Sequence, residues 1–275
     1  MKRPAGILVR SVMNENIKWF AGAVAVVGLS IGAVIYFSMR DEAAPPPAPT
    51  VAAKPPPMPE PEEPAIKHPV AEPERQQPLP SLNESDVPMQ QALADLVGKE
   101  SVERLFKPDE LVRHLVVSID NLPEQKVAER IRPLKRVPGK FEVGGTEDMP
   151  VLNPANYERY DSLVQLLRST DTHRLVATYS HYYPLFQDAY ESLGHPPQYF
   201  NDRVVEVIDH LLATPDVPDP IPLAQPNVLY EFADPKLESL TAGQKALIRM
   251  GSGNAAVVKE KLRELRTELL SQPRK

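Results

Sequence analysis

Fourteen of the chain's 32 prolines fall between residues 45 and 80, in the stretch PPPAPTVAAKPPPMPEPEEPAIKHPVAEPERQQPLP. Proline fixes φ and has no amide hydrogen, so neither helix nor sheet forms at that density. The stretch is expected to be a disordered, extended linker of polyproline II character, a semi-rigid spacer. At ~3.1 Å per residue it reaches at most about 110 Å. It divides the 275 residues into an N-terminal segment, a linker assigned to 40–80, and a region of ordinary globular composition from 81 to 275. That last region is long enough for one substantial core or two small ones.

Ahead of the linker, residues 19–39 read WFAGAVAVVGLSIGAVIYFSM, without a charge. As a helix rising 1.5 Å per residue, such a run spans roughly 30 Å, the thickness of a bilayer's hydrocarbon core. Trp19 and Tyr36 suit the two interfaces. A cleaved signal peptide has a shorter apolar core, about 7–15 residues, and a small-x-small site directly after it. Here RDEAAPPP follows, which favours an uncleaved single-pass transmembrane helix. Lys2, Arg3, Arg10 and Lys18 precede the span, whereas only Arg40 and Lys54 follow within a similar distance. The positive-inside rule then makes residues 1–18 cytoplasmic and exports the rest. In a bacterial inner membrane this places 81–275 in the periplasm. The chain has no cysteine, so its stability in an oxidising compartment does not rest on disulfides.

The exported part is acidic: seven Asp/Glu against three Lys/Arg in 41–80, and 29 against 23 in 81–275. No basic stripe is evident, and nucleic acid is excluded as an expected partner.

Helical periodicity dominates after residue 81. In DVPMQQALADLVG, Met89, Ala92, Leu93, Leu96 and Val97 share a face, and Gly98 suits the C-terminal stop. Pro108 is expected in the first turn of a helix burying Leu111, Val112, Leu115 and Ile119. Phe141 and Val143 alternate with polar residues, and GGTED turns back to MPVL, so a small β-hairpin is expected near 140–152. Asn153-Pro154 reads as a cap and first residue of a helix with Tyr157, Tyr160, Val164 and Leu167 on one side. Asn201 reads as the cap of NDRVVEVIDHLLA. Thr241 and Gln244 have capping-box spacing. A last helix from about Asn254 carries Val258, Leu262, Leu265 and Leu269 beneath a charged face. The expected fold is mainly α, a helical bundle with one small hairpin.

Residues 179–203 concentrate five of the nine tyrosines. On a helical wheel Leu175, Val176, Tyr179, Tyr182, Tyr183, Phe186, Tyr190 and Leu193 fall on one side. His173, His181, Asp188 and Glu191 fall away from it. Gly194 and His195-Pro-Pro end the helix. The tyrosines are therefore expected in the core, with His181 and Asp188 at the surface. Pro184 inside the helix bends it, and a bent helix lined with tyrosines can border a groove. Groove or polar-face candidates are Tyr183, Tyr199, Asp202, Glu206 and His210. The last three are spaced i, i+4, i+8, the pattern of a metal or acid–base row and equally of a solvated face.

There is no HExxH, no cysteine pair, no GxSxG and no phosphate-binding glycine loop, so neither a metal nor any other cofactor is expected. GSGN at 251–254 fits a helix stop and a new cap. Gly28 and Gly32 fit the GxxxG pattern of membrane-helix dimers, which makes a homodimer through the anchor an expected contact.

The blocks LVVSIDNLP, LNPANYERYDSLV, YPLFQDAYESLG, YFNDRVVEVIDHLLATP and LYEFADPKLESLTAGQKALIRMG resemble, in order, those of the bacterial family known as domain of unknown function 3014. The resemblance covers about residues 80–270, and the membrane span and proline-rich stalk match that family's layout. It differs at Ser252-Gly253, where the family pattern more often has Pro-Glu. The resemblance implies a membrane-anchored envelope protein and brings no activity, cofactor or catalytic residue. The expected role is a non-catalytic interaction or scaffold protein of the cell envelope, with an envelope protein or peptidoglycan as partner. The alternative is an enzyme or small-ligand binder acting through a groove beside residues 179–210.

Overall fold

A computed structural model describes residues 65–71, 78–136, 138–194 and 198–271. Helices account for most of it: α1 Asp86–Val97, α2 Lys99–Leu105, α3 Leu111–Asn121, α4 Ala155–Glu158, α5 Asp161–Ser169, α6 Thr172–Glu191, α7 Phe200–Leu212, α8 Pro235–Glu238, α9 Ala242–Arg249 and α10 Ser252–Leu270. Four short strands form two antiparallel pairs, β1 Val143–Gly145 with β2 Pro150–Leu152, and β3 Leu223–Ala224 with β4 Glu231–Phe232. No helix among the described residues is long and apolar enough to cross a membrane. Residues 1–64, with the 19–39 span and its Gly28 and Gly32, lie outside the described residues, as do 72–77 and 195–197.

The long helices α6, α7 and α10 and the shorter α3 make the body of the fold. α3 packs on α6 and α7, and α10 on α5, α6 and α7. α7 is central because its apolar residues serve three clusters. Phe200 joins Leu111, Val112, Val116, Phe186 and Tyr190. Val207 and Leu211 join Val164, Leu247 and Met250. Ile208 joins Val176 and Leu269. A further cluster under the strands gathers Leu152, Ile221, Leu223, Phe232 and Ile248.

The 143–152 hairpin forms as its alternation predicts, with Val143 opposite Leu152. The β3–β4 pair is additional. It meets the first hairpin through Leu152 N–H, which donates to Ile221 O at 2.9 Å, and a bridge between Val151 and Pro222. The capping box of Thr241 and Gln244 opens α9 as expected.

Several local expectations are corrected. α3 begins at Leu111, not in the turn of Pro108. Both carboxylate oxygens of Asp86, on α1, accept the amides of Glu110 and Leu111 at 2.9 and 2.8 Å, so a neighbouring helix supplies the cap. The helix after Asn153-Pro154 is broken into α4 and α5, although Asn153 Oδ1 does accept the amide of Ala155 at 3.0 Å. α10 starts at Ser252, so Ser252-Gly253 is its first turn and not a loop. Its charged face is only partly solvated. Lys259 and Lys261 are buried. Lys259 Nζ donates to Thr214 O at 2.7 Å and Asp216 Oδ1 at 2.6 Å. Lys261 Nζ donates to Thr170 O at 3.1 Å, Thr172 Oγ1 at 3.0 Å and Glu264 Oε2 at 2.6 Å. Each ammonium thus answers carbonyls at helix ends and has a carboxylate partner, the arrangement burial of a charge demands.

Candidate functional site

α6 opens on Asp171, whose carboxylate accepts the amide of Arg174. Its stripe turns inward as the wheel predicts: Val176, Tyr183, Phe186 and Tyr190 are buried, and Tyr179 and Tyr182 half-buried. The buried face is wider than the stripe, since Leu185 and Ala189 are also covered. Leu193, beyond the helix end, is exposed. Asp188 is exposed as expected, whereas His181 is half-buried with its ring edge-on to Tyr182 at 4.8 Å. Pro184 is accommodated within the helix.

The aromatic rings continue from α6 into α7. Tyr183 lies 5.1 Å from Tyr199, and Phe186 stacks with Phe200 at 6.2 Å and 9°. This places the first turn of α7, with its amides not yet hydrogen-bonded inside the helix, against polar groups of α6. Gln187 Oε1 accepts Phe200 N–H at 2.8 Å, and Tyr183 OH accepts Asn201 N–H at 3.2 Å. Tyr183 OH in turn donates to Gln187 Oε1 at 2.8 Å. α6 therefore caps α7. Asn201 is not the cap that its sequence context suggests. It lies inside the helix, fully buried, with its side chain free for other work.

That work is to hold a second segment of the chain. Asn201 Oδ1 accepts Tyr179 OH at 3.1 Å, and Nδ2 donates to His68 O at 2.8 Å. The carboxylate of Asp202 accepts His68 N–H on Oδ1 at 2.7 Å and Lys67 N–H on Oδ2 at 3.0 Å. Tyr199 OH accepts Val70 N–H at 2.9 Å. Val70 is 8% exposed and joins the core beside Leu111 and Phe186. Residues 65–71, which the proline content assigned to a free linker, are thus a strap held on the first turn of α7, with Val70 in the core that α6 shares. Their local sequence forms no helix or sheet; the contacts that hold them come from more than 100 positions away.

The Tyr179 and Tyr183 hydroxyls are neutral donors rather than bases. Burial, reinforced by neighbouring Tyr199 and Asp202, pushes the Tyr179 phenol well above its ordinary range. Burial, with Tyr179 next, does the same to Tyr183. Both stay protonated at any physiological pH.

The strap is held in near balance. Its two hydrogen bonds to the carboxylate contribute about 1.5–3 kcal/mol each and the two neutral ones about 1 each. Covering Val70 adds about 1.5–2 kcal/mol. Fixing four backbone residues costs about 1–2 kcal/mol apiece. The two sides agree to within a few kcal/mol.

Of the five groove or polar-face candidates, Tyr183, Tyr199 and Asp202 converge on this clamp. Glu206 and His210 do not. Glu206 is exposed and pairs with Arg203 at 3.0 Å, while Arg203 Nε also pairs with Asp120 at 2.8 Å. His210 Nε2 meets Thr241 Oγ1 at 2.9 Å, at the start of α9. The i, i+4, i+8 row is split among three separate tasks. Among the described residues no three His, Asp or Glu side chains are grouped so as to hold a metal ion. The sequence reading missed Asn201 and Gln187. The available signal was phase: Asn201 shares a helix face with Val205, Ile208 and Leu212, and a polar residue in an apolar row needs a buried partner.

No curated protein and no solved structure matches the chain. A family model described as "Protein of unknown function (DUF3014)" matches residues 111–266, more than half of the sequence, from the first residue of α3 into α10. The matched span contains both clamp helices and ends short of the strap on its N-terminal side. With its helical core and clamp inside that span, the chain belongs to the DUF3014 family.

Proposed function

We propose that this is a non-catalytic interaction or scaffold protein of the bacterial cell envelope. In this proposal residues 19–39 anchor it as a single transmembrane helix in the inner membrane, with 1–18 in the cytoplasm. The proline-rich linker carries the helical domain out into the periplasm, toward an envelope protein or peptidoglycan, and Gly28 and Gly32 provide a homodimer contact between anchors. One observation supports the interaction role above all. The polar groups gathered at Tyr199, Asn201 and Asp202 are aimed at the amides and carbonyl of a peptide segment bent at Lys67–His68. The same contacts weigh against an enzyme or small-ligand binder in the groove beside residues 179–210, because those groups are already committed to peptide.

Two measurements in cells test this proposal. A reporter fused after Lys275 that is active only when exported is expected to be active; activity of a cytoplasm-only reporter would overturn the topology. A photo-crosslinking residue in place of Asp188, exposed on α6 next to Gln187 in the sequence, is expected to give one specific adduct with an envelope component. Its absence there and at other exposed positions of α6 and α7 would contradict an interaction role.

A further inference from the structure

The clamp reads main chain rather than side chains. Three of its contacts take the amides of Lys67, His68 and Val70, and the fourth gives a donor to the carbonyl of His68. Ile66 is 55% exposed and Lys67 is exposed as well; the strap's one buried side chain is Val70. Pro69 occupies the position between the bonded amides of His68 and Val70, so its missing N–H leaves nothing unpaired. Lys67 and His68 place basic groups on a domain whose residues 81–275 carry 29 acidic against 23 basic side chains. Any segment whose backbone bends so that two successive amides face one carboxylate, followed by proline and a small branched apolar residue, meets the same requirements.

We infer that the α6–α7 clamp is a peptide-binding site for basic-Pro-Val segments of another envelope protein that bend as Lys67–His68 does, and that residues 67–70 are its resident occupant, displaced when that partner binds. This rests on the interaction role proposed above and gives it a ligand. The near balance of the strap makes displacement feasible. Exchange of straps between two copies of this chain would conserve every contact and so supplies no driving force, whereas a foreign segment brings the additional surface of its own protein. The tether keeps the resident strap at an effective concentration in the millimolar range, so a free peptide competes weakly with the intact chain.

The test is fluorescence anisotropy of a labelled peptide, AIKHPVA, with the full chain in detergent micelles. The unaltered chain is expected to bind it weakly. Val70→Asp, which expels the resident anchor, and His68→Pro, which removes a strap amide without touching the core, are each expected to tighten binding at least tenfold. Asp202→Ala added to either should reverse that gain at least tenfold. The inference is overturned if neither strap variant tightens binding while the helical circular dichroism is kept, or if Asp202→Ala has no effect. An unaltered chain that runs as a dimer and becomes monomeric with His68→Pro would put a second copy in the clamp, and would equally overturn the assignment to a different protein. Failure of the peptide experiment alongside a specific adduct from position 188 sinks the peptide site and leaves the interaction role standing.

Discussion

Asn201 shows how much one buried polar side chain can organise. It is fully covered, accepts from Tyr179 and donates to the strap. Asn201→Ala would strand the Tyr179 hydroxyl and the His68 carbonyl, and leaving buried groups unpaired costs about 1–3 kcal/mol. A urea titration of the purified chain is expected to show a loss of about 2 kcal/mol, whereas Asp188→Ala on the exposed side of α6 should stay within about 0.5 kcal/mol. Equal effects would mean that Asn201 does not bridge α6, α7 and the strap. At this scale the sequence showed which tyrosines turn inward, because that follows from helical phase alone. It could not show what Asn201 does. Asparagine ahead of a helical run has the signature of a cap, and only the packing of α6 against α7 reveals that Tyr183 and Gln187 already fill that role.

Elements followed the sequence closely where their signals are local and less well where a neighbour decides. The Thr241–Gln244 capping box and the 143–152 hairpin depend on residues a few positions apart, and both appear. The start of α3 depends on Asp86, 25 residues upstream of Leu111, and lies beyond the turn that Pro108 suggests. The entry to α10 is set by backbone geometry. Gly251 has φ 84° and ψ 155°, and a β-carbon there would sit 2.6 Å from the ring of Tyr157. L-residues avoid that region at a cost of about 1–3 kcal/mol before any clash is counted. Gly251→Ala is therefore expected to destabilise by about 3 kcal/mol in a thermal or urea melt. Two residues on, Gly253 faces open space within the first turn of α10. Gly253→Ala should stabilise by about 0.5–1 kcal/mol through helix propensity. The opposite ranking would mean that α10 does not begin at Ser252.

Across the whole molecule, the proline-rich stretch and the helical region are not simply spacer and domain. Composition marks 45–80 as unable to fold by itself, and residues 65–71 have no local signal to the contrary. They are ordered because the start of α7 presents a carboxylate, a phenol and an amide that fit a backbone bent at Lys67–His68, a long-range match that no reading of periodicity reveals. The domain's N-terminal limit is thus set by the clamp and not by the last proline. The most direct measurement of that claim is residue-resolved amide hydrogen exchange of the full chain. The amides of Lys67, His68 and Val70 are expected to exchange at least about tenfold more slowly than free peptide amides, and the first two to lose that protection in Asp202→Ala, because protection reports the free energy of local opening. Exchange of all three at the free-peptide rate in the unaltered chain would contradict the account: the strap would then not rest on α6 and α7, and the clamp would have no resident occupant.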